Sequence, residues 1–222
     1  GARGRAVALF SQGLQQTRAP LTRSEIDMVI GKISSSSSHI EYICQVRGPH
    51  ESEQPPRPEE YGLGTLVGVA RREGGYLVGV ISNTTLLNPE FGNLGPRLSP
   101  EPDLAVFSPD YLAEKLTLVS ITVLGAVGGD GGTTQGVPAI SAELDAPVRR
   151  LSEEEIIAFH ATPQGLRAAY LPVLLNMVNN PLAPSLALQL IEQLERLFPH
   201  EAPRLALLKD HLAWRARVQP LG

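Results

Sequence analysis

The sequence predicts an α+β fold: a small N-terminal β-barrel followed by a C-terminal α-helical domain. Three observations carry that expectation. Residues 24–125 hold short apolar stretches with a two-residue period, separated by Gly, Pro and Ser. Residues 125–138 are too rich in glycine to hold regular structure cheaply. Residues 151–218 carry leucines at the spacing of amphipathic helices. The expected division is a basic tail over 1–23, the barrel over 24–125, a Gly-rich linker over 126–147 and the helical domain over 148–222.

In the barrel segment, Met28–Ile33 reads as a strand that ends at the serines Ser34–Ser38. The next strand, Ile40–Val46, puts Ile40, Tyr42, Cys44 and Val46 on one face, because successive strand side chains alternate. A polar loop with Pro49, Pro55, Pro56 and Pro58 comes next. Leu63–Ala70 and Tyr76–Ile81, joined by Arg71–Gly75, read as a hairpin with a longer loop. Residues 83–102 read as irregular. Ser108-Pro109-Asp110 starts a short helix reaching about Lys115, with Ser as cap and Pro in the first turn. Leu116–Leu124 is a strand whose Val119, Ile121 and Val123 make an apolar face.

Beyond the glycines, Ser152-Glu153-Glu154-Glu155 is a capping box that opens a helix to about Phe159. Thr162-Pro163 reads as a second helix start, and Pro172 should kink or split that helix. Ser185–Phe198 aligns Leu186, Leu190 and Leu194, and Pro199 ends that helix. Ala202–Val218 repeats the pattern with Leu205, Leu208 and Leu212.

Length, charge and cysteine usage exclude several functions. The chain has 222 residues, 42% hydrophobic, with a net charge of −4. The balance is +4 over residues 1–23, −6 over 24–125 and −2 over 126–222. A domain that binds only nucleic acid usually carries a high pI and a basic patch, which the acidic middle opposes. With Cys44 as the single cysteine, neither an internal disulfide nor a Cys-rich zinc site can form. No apolar run is long enough to cross a membrane as a helix, so a cytoplasmic protein is expected.

Chemical motifs are weak. Residues 125–136 have glycines but lack the Lys-Ser/Thr of a phosphate-binding loop, so no nucleotide hydrolysis is expected. Gly62-Leu63-Gly64-Thr65-Leu66-Val67 lacks the third glycine of a dinucleotide fingerprint. Cys44 shares its face with apolar residues and reads as a structural thiol. His39, His50, His160, His200 and His211 show no zinc-helix spacing. No catalytic residue, metal ligand or cofactor is therefore expected. Partner-binding candidates are Trp214, Arg215 and Arg217 on the last helix, a composition common at interface centres, and Arg71 and Arg72 in the hairpin loop.

One resemblance adds to this. Ile30-Gly31-Lys32-Ile33, the Tyr42–Val46 strand, Tyr61–Val69 with its Gly62-Leu63-Gly64-Thr65-Leu66-Val67-Gly68, and Val78-Gly79-Val80-Ile81 resemble the HAS-barrel. That is the N-terminal barrel of HerA-type DNA translocases and of ATP synthase subunits. The resemblance covers about residues 28–124. In that family an ATPase core with a phosphate-binding loop comes after the barrel; helices stand there in this chain, so ATP hydrolysis is not carried over. What the resemblance implies is a barrel used for assembly and docking.

The expected function is thus a non-enzymatic interaction module of a HerA-like DNA-processing or repair complex. Its partner would be a HerA-type ATPase, an associated nuclease or a second copy of the chain. The alternatives are a nucleic-acid-binding barrel using Arg71, Arg72 and the N-terminal arginines, and a metal-dependent nuclease using some set of Asp103, Asp110 and Glu90.

Overall fold

A computed structural model describes residues 29–49, 51–88, 116–176 and 180–218, with side chains described as far as Leu212. Six strands close into an antiparallel barrel. They are β1 (Val29–Ser36), β2 (Glu41–Val46), β3 (Leu66–Ala70), β4 (Tyr76–Leu87), β5 (Leu116–Val127) and β7 (Pro147–Arg150). Around the barrel the order is β1, β7, β3, β4, β5, β2, and the β2–β5 pairing returns to β1. Strand β6 (Thr133–Gln135) is appended to the end of β5.

Alternation places Ile30, Ile33, Tyr42, Cys44, Val46, Val67, Val69, Leu77, Ile81, Val119, Ile121 and Val148 in the barrel interior. Within it, the Tyr42 hydroxyl donates to the His39 carbonyl at 2.7 Å and accepts from the Ala142 amide at 3.0 Å, which anchors the loop before β7. The only buried hydroxyl pair among the described residues is Thr122 with Ser82, at 3.1 Å, and Ser82 in turn donates to the Ser120 carbonyl.

Several outward residues of β3, β4 and β5 are also apolar. Leu66, Val78, Val80 and Leu124 form a second core with the helices. These are α1 (Glu153–His160), α2 (Leu171–Leu175), α3 (Ala183–Leu197) and α4 (Ala202–Val218). Leu186, Leu190 and Leu194 of α3 are buried at four-residue spacing, as the sequence predicts. A 3₁₀ turn, Pro199–Glu201, joins α3 to α4, and Lys209 reaches back to Glu192 at 2.9 Å, so the two run antiparallel.

Several local expectations are corrected. The strand over Met28–Ile33 runs on through three of the five serines, with a bulge at Ser34 whose hydroxyl donates to the Ile43 carbonyl. β4 continues to Leu87, so the irregular stretch begins later than residue 83. Thr162-Pro163 does not start a helix. Ala161–Thr162 and Gly165–Leu166 form a small hairpin, β8 and β9, and the Thr162 hydroxyl donates to the Gly165 carbonyl instead of capping. Gly165 sits at φ 108°, which closes that turn. Pro172 lies in the first turn of α2, where its missing N–H costs nothing, and so it opens a helix instead of kinking one. The helix expected over 109–115 lies outside the described residues.

Candidate functional site

Two joints lock the barrel to the helices. At the first, Arg149 of β7 forks onto Glu155 of α1, with Nη1–Oε2 at 2.7 Å and Nη2 on Oε1. Its guanidinium also lies over the Tyr76 ring, 5.0 Å from the centroid. Glu155 closes the capping box too, accepting from the Ser152 amide while Ser152 Oγ accepts from the Glu155 amide. Burial disfavours the Glu155 charge, but Arg149 and the Ser152 amide outweigh it and hold the carboxyl below its usual range. Tyr76 is pushed up to about 12 by burial and by the Glu155 charge.

At the second joint, His160 is fully buried. Nδ1 lies 2.7 Å from the Ile156 carbonyl and Nε2 lies 2.8 Å from the Tyr170 hydroxyl. A carbonyl only accepts, so Nδ1 donates, and neutral Nε2 accepts from Tyr170. Burial lowers the imidazole to about 4 and raises the Tyr170 phenol. Phe159 and Phe198 enclose the pair. Gln135 of β6 completes this region: its amide donates to the Phe159 and Arg167 carbonyls and accepts from the Ala169 amide. Part of the segment expected to be a linker is therefore tied both to β5 and to the helical layer.

Arg149, His160 and Tyr170 are buried in this layer, and Glu155, Tyr76 and Gln135 are partly covered. Cys44 is sealed in the barrel, and burial pushes its thiol up to about 12, far from a thiolate at neutral pH. No group of three or more His, Cys, Asp or Glu suited to a metal occurs among the described residues. Asp103, Asp110 and Glu90 lie outside those residues.

Of the predicted partner-binding residues, Arg71 and Arg72 sit in the β3–β4 turn. Arg71 is mostly covered and pairs with Glu73 at 3.7 Å. Arg72 is exposed and pairs with Glu143. Trp214, Arg215 and Arg217 belong to the last turns of α4, and their side chains are beyond those described.

The feature that sequence reasoning misses is the far half of β4. Asn83–Leu87 pairs with Leu116–Ser120 on one edge. β3 stops short of this stretch, so the other edge is unpaired among the described residues. The ribbon carries exposed Leu86 and Leu87, the former 75% accessible. The sequence signal is Thr84-Thr85-Leu86-Leu87, a β-compatible run after Val78–Ile81.

Comparison with known families places the chain. A family model described as "Domain of unknown function (DUF8166)" matches residues 15–220. The chain belongs to that family. No curated protein matches it. The DUF8166 match spans both the barrel and the helices, so the two are parts of one family unit. No described helix is long and apolar enough to cross a membrane.

Proposed function

We propose that this DUF8166 chain is a non-enzymatic assembly module, a HAS-type barrel that docks onto another protein chain within a DNA-processing or repair complex. The partner is a HerA-type ATPase, its associated nuclease or a second copy of the chain. The observation that carries this is the Asn83–Leu87 stretch, one of whose two edges is unpaired among the described residues, with two exposed leucines at its end. Unpaired edges accept a further strand unless they are blunted by charge, proline or a cover, and this one has neither charge nor proline. The placement of Cys44 and His160 inside the two cores supports a binding role over catalysis. Charge compensation of Arg71 by Glu73 and of Arg72 by Glu143 weakens the nucleic-acid alternative.

The test is sedimentation of the chain alone and mixed with a HerA-type ATPase. The expected result is a complex or an oligomer that the pair Leu86→Asp and Leu87→Asp disperses while the circular dichroism spectrum is kept. A chain that stays monomeric at high concentration and forms no complex contradicts the proposal.

A further inference from the structure

A cleft of about 560 Å³ opens beside the start of β1. Its walls are Val29 and Ile30 of β1, Arg47 just after β2, the segment 52–57 with Glu60, and Arg150 at the end of β7. β1 pairs with β2 on one side and with β7 on the other, so Arg47 and Arg150 flank it. At the usual strand spacing their backbones stand roughly 10 Å apart. Arg57 enters from the proline-rich segment.

Three arginines thus converge on one cavity, and among the described residues none of them forms an ion pair. This contrasts with Arg71, Arg72, Arg149 and Arg204, which all do. Two carboxylates share the cleft. Glu60 is engaged by the loop itself, accepting from the Arg57 amide at 2.8 Å. Glu53 lines the cleft without pairing any of the arginines. Three guanidinium forks in a net-acidic chain, placed together without a carboxylate on any of them, are the chemistry of an oxyanion site. A carboxylate has two oxygens and satisfies one fork, whereas a phosphate or pyrophosphate offers enough oxygens for all three. The volume lies within the range of small-ligand sites.

We infer that this cleft binds the phosphate groups of a ligand, with Arg47, Arg57 and Arg150 as the recognising residues. The phosphate comes either from a free nucleotide-sized molecule or from a nucleic-acid backbone, and the two sources separate by experiment. The site is distinct from the β4 ribbon and does not depend on it.

Calorimetric titration at low salt uses pyrophosphate, a single-stranded twelve-nucleotide DNA and a glutamate-rich peptide. The expected result is saturable pyrophosphate binding that Arg47→Ala, Arg57→Ala and Arg150→Ala each weaken about tenfold or more, the scale of one lost charge-assisted hydrogen bond. Arg204→Ala, away from the cleft, leaves binding unchanged. Pyrophosphate binding as tightly as the DNA identifies a free phosphorylated ligand. DNA binding at least tenfold tighter, with a steep loss on adding salt, identifies the nucleic-acid backbone. The inference is overturned if neither phosphate probe binds at millimolar concentration. It is also overturned if a folded triple-alanine variant binds as well as the native chain, or if the acidic peptide binds more tightly than both phosphate probes.

Discussion

The barrel interior and the layer between barrel and helices are two cores built on opposite principles. The interior is aliphatic and nearly free of directional bonds: Val67, Leu77, Ile81, Val119 and Ile121 meet there with Cys44 and Tyr42. The outer layer mixes leucines with a guanidinium–carboxylate fork, a His–Tyr pair and a Gln clamp. A closed barrel already fixes where its side chains go, so apolar volume alone suffices inside. A helix can slide on a sheet, and polar groups of fixed geometry set its position at the cost of sensitivity to charge and pH.

The largest effect should come from breaking the fork in the outer layer. Glu155→Ala takes the bidentate carboxylate from the mostly buried Arg149 and is expected to cost about 3–5 kcal/mol in urea unfolding. A loss below about 1 kcal/mol would break the contrast between the cores. In the interior, Ile121→Ala is expected to cost roughly 2–5 kcal/mol. Gly79→Ala tests the same core from the other side. A Cβ there would stand 2.5 Å from Ile121 Cγ2, so overpacking of about 1–3 kcal/mol is expected. Combining it with Ile121→Ala, which removes Cγ2, should cost less than the two single losses added together, as contacting residues are non-additive.

Acid separates the two cores without mutation. His160 has a folded value of about 4 against 6.5 for an ordinary imidazole. The unfolded chain therefore takes up a proton first, and stability falls as pH drops from about 6.5 to 4, by about 3 kcal/mol in total. Glu155, held low in the folded state, adds a further loss below its ordinary carboxylate range. His160→Gln should flatten the upper part of this slope, and an unchanged slope would remove His160 as its source. The smallest effect expected is Ser152→Ala, about 1 kcal/mol from the lost cap.

The two cores differ in how far the sequence reveals them, because their information lies in different places. The Ile40–Val46 alternation, the Ser152–Glu155 box and the α3 leucines are local patterns and can be read directly. β7 cannot. Pro147-Val148-Arg149-Arg150 has one aliphatic residue facing the interior, and it is a strand because β1 and β3 bracket it from more than 75 residues away. β6 is hidden among glycines, and Gln135 gains its role from carbonyls of a later segment. The arginine cleft is similarly non-local: Arg47, Arg57 and Arg150 share no motif and meet only through strand order. Proline misleads as a break at 172 and as a helix start at 163, where neighbouring packing decides otherwise.

Hydrogen–deuterium exchange of the β4 peptide tests the proposed docking role most directly. The two halves of this strand differ: Leu77–Val80 is bonded on both edges, while Asn83–Leu87 is bonded on one among the described residues. On raising protein concentration or adding the HerA-type ATPase, exchange at Asn83–Leu87 is expected to slow at least tenfold, with Leu77–Val80 unchanged. Unaltered exchange at Asn83–Leu87 under both conditions, with protection gained on another surface, would contradict the role assigned to this edge.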